Sequence, residues 1–231
     1  ATGFYISPDG KRITGVEAKK AGRSISYNAD VVVVATGIEG ISWLERQMDA
    51  LGVRLESGPA GFGIRVETKA AVLEPIFELF YDWKLLYQAE GMMLRSFCCN
   101  RQGYVVNQLH RDMPLRNVNG HSSLNPLQKS HSSNFAIIAK IDQTVDPDPQ
   151  AYVRRTAMAI NAMTDGHSVV QTLNGFMRQS ASSSDEIDYT VRTNPLARAG
   201  ADIGWGMPGQ LYNAFWSFLD DLSKLVPGLM D

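Results

Sequence analysis

The sequence predicts an α+β fold: mainly antiparallel sheet with segregated helices, joined to a short β segment near the start. Three observations predict it. Strand-like stretches follow one another closely from Phe4 to Tyr27 and again from Phe62 to Leu109, with turn residues between them. Two helical patterns stand apart from these, at Gln150 to Met163 and after Pro208. One run of valines, Val31 to Val34, has no alternation and reads as a strand buried on both faces.

Taken in order, Phe4-Tyr5-Ile6 is a strand that ends in the turn Ser7-Pro8-Asp9-Gly10, and Arg12 to Ala18 returns from it. Ala21-Gly22-Arg23 turns the chain into a short strand, Ser24 to Tyr27. The valine strand then runs to Ala35-Thr36-Gly37. A helix follows, with Trp43, Leu44, Met48 and Leu51 at helical spacing, Ser42 as N-cap and Gly52 as stop. Phe62 to Val66 alternates as a half-buried strand. Met92 to Cys98 and Tyr104 to Leu109 are expected to form a hairpin, with Gly103 serving its turn. Asn119-Gly120-His121-Ser122 is expected to be a glycine-hinged polar loop, and Phe135 to Ile141 a strand. The helix at Gln150 to Met163 lies between Pro-Asp-Pro and Asp165-Gly166. Ser180 to Asp185 reads as a polar loop. The last helix presents Leu211, Phe215, Phe218, Leu219, Leu222 and Leu225 as one apolar stripe, and Pro227-Gly228 ends it.

Composition excludes several function classes. The 231 residues are 44% hydrophobic and 20% charged, with 22 basic and 24 acidic side chains. That balance excludes disorder, and the absence of a basic excess excludes nucleic-acid binding by bulk charge. The purest apolar run, Val31 to Ala35, is far short of the roughly 20 residues of a membrane helix. The only two cysteines, Cys98 and Cys99, are adjacent. A disulfide framework is therefore not expected, and a reducing, cytoplasmic setting is. Ala1 to Gly10 lacks the basic start and apolar stretch of a signal peptide. The abrupt start without Met is what an excised or processed piece would show.

A buried strand ending in Ala35-Thr36-Gly37 is a feature of dinucleotide-binding folds, where small residues let the backbone approach the ligand. An ordinary buried strand ending in a glycine turn reads the same way. The glycine-rich Gly58-Pro59-Ala60-Gly61-Phe62-Gly63 precedes a strand rather than a helix, so any dinucleotide phosphate site is expected outside this chain.

Several motifs, in order, resemble one family. They are Asp30 to Gly37, Trp43-Leu44, Gly63-Ile64-Arg65-Val66-Glu67, Arg95-Ser96-Phe97-Cys98, Gly103-Tyr104-Val105-Val106, Asn119-Gly120-His121-Ser122, Asn134-Phe135-Ala136, Val170-Gln171 and the helix into Val226-Pro227-Gly228. The chain resembles the middle portion of the uncharacterised FAD-dependent dehydrogenases, also labelled NAD(FAD)-utilizing dehydrogenases. It departs from them at Cys99-Asn100-Arg101-Gln102 and at Thr172 to Phe176, and it lacks counterparts of the family's two glycine-rich FAD segments. The resemblance implies that residues 1–40 form a β segment adjoining a split FAD-binding domain. Residues 41–231 would be the inserted substrate domain, which covers the flavin and shapes the substrate pocket. FAD would be held in the full-length protein and not by this chain alone. The implied partners are the rest of the FAD-binding domain and a small-molecule substrate, with no nucleic acid and no membrane. A different class stays open: a stand-alone, non-catalytic ligand- or protein-binding domain of related ancestry.

The resemblance directs attention to Cys98, Asn119, His121 and Arg65 as catalytic candidates, and to Ala35, Thr36 and Gly37 as FAD contacts. Cys98 is either a flavin- or substrate-facing thiol, activated by a nearby cation, or a small buried apolar side chain. A Cys98–Cys99 disulfide would need a strained ring. His121 is either a proton donor at the flavin or substrate, or a surface histidine in a turn. Arg65 and Glu67, two apart on a strand, share a face, where they pair with each other or bind an anionic substrate. Lys84 and Arg178 are further cations for such a ligand. His110, His131 and His167 have no partner at metal-ligand spacing, so no metal is expected.

Overall fold

The computed structural model describes residues 1–37, 40–109, 115–190 and 196–230. The chain is mixed α+β, its sheets are antiparallel, and it forms two compact units, Ala1–Glu56 and Ser57–Asp231.

The first unit is a three-stranded meander, β1 (Gly3–Ile6), β2 (Ile13–Lys20) and β3 (Arg23–Asn28), with helix α1 (Ile41–Ala50). Its turns sit where glycine supplies positive φ, at Gly10 (71°) and Gly22 (80°). Phe4 stacks on Trp43 of α1 with ring centroids 5.5 Å apart. Gly40, not Ser42, is the N-cap of α1, and Gly52 takes φ 69° just past its end. The valine run departs from expectation. Val31 to Gly37 pairs with no strand among the described residues, and Val31 and Val33 are 78% and 84% exposed. Four β-branched residues favour extended backbone, but a buried strand also needs ladder partners on its edges.

The second unit is built on a four-stranded antiparallel sheet in the order β4 (Ala60–Lys69), β9 (Ser132–Ile141), β6 (Met92–Asn100), β5 (Leu86–Ala89). Alternation assigns its two faces. Phe62 and Val66 of β4, Phe135, Ile137, Ala139 and Ile141 of β9, and Leu94 of β6 point into the core. Helix α6 (Gly209–Leu225) covers that face with Leu211, Phe215, Phe218, Leu219 and Leu222, all buried. Phe215 meets Phe62 edge-on at 6.1 Å, and Phe218 meets Tyr87 at 5.3 Å. Helix α2 (Ala70–Leu79), which the sequence reading passed over, adds Leu73 and Phe77 at i,i+4 despite Pro75 in its interior. Helix α3 (Pro149–Ala162) lies where the sequence places a helix, one residue earlier at each end, and Asp148 caps it by accepting a hydrogen bond from the Ala151 N–H at 3.0 Å. The short helices α4 (Leu173–Met177) and α5 (Ser184–Thr190) complete the unit.

Three expectations are corrected here. Strands β6 and β7 (Tyr104–Leu109) do not form a hairpin: β6 has both edges occupied by β9 and β5, so β7 pairs instead with β8 (Arg116–His121). The turn between β6 and β7 puts Gln102 rather than Gly103 at positive φ. A Cβ on Gly103 would press on the His121 carbonyl, so glycine is needed there for close approach. Asn119, Gly120 and His121 are not a loop but the end of β8, with Asn119 opposite Val106. The polar stretch 180–185 runs into α5, which opens with a capping box: the Ser183 N–H donates to Glu186 at 2.7 Å, and the Glu186 N–H donates back to the Ser183 hydroxyl.

Phe215 is fully buried in the middle of this core. Phe215→Ala is expected to destabilise the chain by about 3–5 kcal/mol, read as a lower urea midpoint. Leu225→Ala, at the exposed end of the same helix, should change it by less than about 0.5 kcal/mol.

Candidate functional site

The second face of the four-stranded sheet carries the polar chemistry. On β4 the residues that alternate away from the core are Gly61, Gly63, Arg65, Glu67 and Lys69, and the register sets Arg65 opposite Ala136 and Glu67 opposite Asn134. Strand β6 leaves regular pairing at the same level: Phe97 faces Ala136, while Asn100, three residues on, faces Asn134 two residues back. The extra residue makes a β-bulge at Cys98-Cys99. Cys98 holds φ 52°, a conformation that costs a non-glycine residue about 1–2 kcal/mol. Bulges of this kind re-aim side chains.

Arg65 stabilises the bulge. Its Nη1 donates to the Cys98 carbonyl at 3.1 Å and to Asn134 Oδ1 at 2.7 Å. Asn100 Nδ2 donates to the same carbonyl at 2.7 Å and lies 3.5 Å from Cys98 Sγ. The thiol donates to Asn119 Oδ1 at 3.7 Å. Gly120 admits this cluster, because a Cβ there would collide with Asn100 Nδ2, Arg65 Nη1 and Asn134 Oδ1 together. The Asn119-Gly120 pair on β8 therefore belongs to the site even though its backbone is a strand.

The two adjacent thiols are pushed in opposite directions. Burial raises the Cys98 thiol, but hydrogen bonds from Arg65 and Asn100, the Arg65 charge and the Gly120 N–H outweigh it and hold Cys98 below the ordinary thiol range. Burial and the Asp82 carboxylate push Cys99 up to about 12. Cys99 Sγ donates to the Trp83 carbonyl at 3.3 Å, as a structural thiol does.

Beside β4 lies a cavity of about 710 Å³. Arg65, Glu67 and Lys69 line it from β4, Val105 and Val118 from the β7–β8 hairpin, and Gln171 to Asn174, Asp185 and Glu186 from the helical segments. Arg65 is half-buried, and its Nε is buried without a hydrogen-bond partner. Nδ2 of the fully buried Asn134 is likewise unpartnered. No ion pair joins Arg65 to Glu67 among the described residues. Burial pushes the Glu67 carboxyl up to about 7 against the lowering influence of Arg65.

The structure thus gathers Arg65, Cys98 and Asn119, and adds Asn100, Asn134 and Glu67. The two asparagines were missed in the sequence because only the bulge brings Asn100 to them, although Asn134 lay within a family-like motif. Of the four catalytic candidates only Arg65 lines the cavity; Cys98 and Asn119 do not, and His121 is exposed at the end of β8 and does not either. Lys84 pairs with Asp82 at 3.5 Å, and Arg178 is exposed after α4. His167 Nδ1 is 3.0 Å from the Thr164 carbonyl oxygen, and His110 lies outside the described residues. Among the described residues no group of three or more His, Cys, Asp and Glu side chains is placed to hold a metal, and no helix is long and apolar enough to cross a membrane.

Ala35 and Thr36 line a separate cavity of about 350 Å³ inside the first unit, with Phe4, Val16, Val32 to Val34 and Trp43. Trp43 Nε1 is buried there without a partner. Gly37, at φ 64°, follows Thr36. Among the described residues the lining of this cavity holds no Lys or Arg side chain. No protein-family model matches the sequence, and no curated protein matches it significantly.

Cys98 should react with iodoacetamide faster than Cys99 at neutral pH, with the midpoint of its pH–rate profile below that of a free thiol. Arg65→Gln and Gly120→Ala should each slow Cys98 and leave Cys99 unchanged, as read by peptide mapping. Glu67 is protonated more readily folded than unfolded. Its favourable contribution is complete below pH 4.5, its ordinary value, and is lost as pH rises through about 7. Glu67→Gln should therefore gain stability over the parent as pH rises across that window in thermal melts.

Proposed function

We propose that this chain is the inserted substrate domain of an FAD-dependent oxidoreductase, with the cavity beside β4 as its substrate pocket. The observation that carries the reading is Arg65, which lines that cavity and also holds a left-handed cysteine, Cys98, in a bulge together with Asn100. Strained, hydrogen-bonded positions beside a cavity are where reactive groups concentrate. The order of family-like motifs supports the flavin assignment. Redox chemistry belongs to a flavin held by the rest of the protein, and Ala35, Thr36 and Gly37 add contacts to it.

This chain's residues bind, orient and shield. Arg65 orients the substrate and keeps the Cys98 carbonyl turned inward. Cys98, depressed by its donors, is the reactive thiol joined to that arginine. Asn119 accepts the thiol proton's hydrogen bond, and His121, exposed at the hairpin end, takes no part in the pocket. Valine side chains from the hairpin exclude water.

The full-length gene product should show a flavin absorption spectrum that dithionite bleaches. The 231-residue chain alone should bind FAD weakly or not at all, because the phosphate cradle is missing. A colourless full-length protein that ignores added FAD would replace this reading with a stand-alone, non-catalytic binding domain. A tight stoichiometric complex of FAD with the isolated chain would equally overturn the division of labour.

A further inference from the structure

The cavity beside β4 has a specific electrostatic demand. Arg65 is half-buried, and both hydrogen-bond partners of its Nη1, the Cys98 carbonyl and Asn134 Oδ1, are neutral. Its Nε–H has no partner, and no carboxylate forms an ion pair with it among the described residues. A guanidinium whose Nη1 acceptors are neutral, and whose neighbour Glu67 keeps its proton up to about pH 7, favours an anion arriving beside it below that pH. The wall near it is apolar, with Val72, Val105 and Val118.

We propose that this cavity binds a small monocarboxylate with an apolar acyl or aryl body, its carboxylate on the guanidinium of Arg65 and its body against the valines. This rests on the reading of the cavity as the substrate pocket and names the class of substrate. Nη1 of Arg65 already donates to two acceptors and its Nε is buried, so Nη2 is the donor left for a charge-assisted bond to the carboxylate. The lining cations are Arg65 and Lys69, with no glycine-rich phosphate cradle, which suits a single negative charge better than a phosphate ester.

Glu67 makes binding pH-dependent. It lies two residues from Arg65 on the same strand face, and the charged groups lining the cavity with it are Arg65 and Lys69 on β4 and Asp185 and Glu186 on α5. Glu186 is engaged with Ser183 in the α5 cap. Burial moves the Glu67 carboxyl up to about 7. Below that pH it is neutral and tolerates a neighbouring carboxylate; above it, like charges meet in the cavity and the ligand is repelled.

The test uses the full 231-residue chain and ligand-observed NMR with hexanoate, octanoate, benzoate and phenylpropionate, each beside its primary amide. At least one acid is expected to bind, with its amide at least about tenfold weaker, a difference of about 1.4 kcal/mol. Affinity should fall as pH rises through about 7. Glu67→Gln should remove that fall while keeping the low-pH affinity, and Arg65→Gln, once shown to be folded by circular dichroism, should erase the preference for acid over amide. Failure of all four acids, equal binding of acid and amide, or an unchanged pH dependence in Glu67→Gln would overturn the proposal. The flavin reading is tested separately. Acid binding by a protein whose full-length form is colourless keeps this inference and removes that reading; a flavoprotein whose cavity ignores every acid does the reverse.

Discussion

Arg65 Nη1 donates two hydrogen bonds, to a backbone carbonyl on β6 and to a side-chain carbonyl on β9, and much of the second unit's polar face is arranged around them. The first is accepted by the carbonyl of Cys98, whose left-handed backbone turns it toward the guanidinium. The second orients Asn134, which is fully buried. Asn100 adds its own donor to the Cys98 carbonyl, so a bulge that would be costly alone is tied down from two directions. The hairpin β7–β8 can lie over this cluster only because position 120 has no side chain. One guanidinium thus sets the conformation of a strand, the reactivity of a thiol and the residue type of a neighbouring hairpin.

The opposite face of the same sheet follows simpler physics. Alternate residues of β4, β6 and β9 meet the apolar stripe of α6, and burial of each large side chain there contributes about 1.5–3 kcal/mol. That face supplies the rigidity on which the polar face depends. A guanidinium among neutral acceptors, an unpartnered amide on Asn134 and a carboxyl that holds its proton to about 7 are all destabilising in isolation. They persist because the strands that carry them are anchored from behind. Concentrating such groups next to a cavity of about 710 Å³ is the usual signature of a binding site rather than of a packing solution.

Much of this was legible in local sequence. The strands of β4, β6, β7 and β9, the stripe of α6 and the Asp148 cap of α3 all follow from patterns within a single element. Arg65 and Glu67 could be placed on one strand face from their spacing alone. What was misread had a common origin. The hairpin expected between β6 and β7 required knowing that β5 and β9 already occupy both edges of β6. Asn119-Gly120-His121 reads as a loop because Asn and Gly favour turns, whereas Gly120 is there to admit Arg65, Asn100 and Asn134. The valine run reads as buried because its residues suit a sheet interior, yet burial depends on partners that a sequence pattern does not supply.

The sequence by itself determined the α+β class, the position of most strands and long helices, and the residue types available for chemistry. Each of these depends on periods of two or about 3.6 residues and on capping rules that operate within one turn or one strand. Only the tertiary structure decided which of those residues meet. Arg65 and Cys98 are 33 residues apart, and Arg65 and Asn134 are 69 apart. Their convergence depends on strand order, on register and on one inserted residue in β6. Register and order are set by the whole sheet, since moving any strand by one residue would send its polar face into the core. The bonds from Arg65 and Asn100, and the depressed Cys98 thiol that follows from them, exist only once that register is in place.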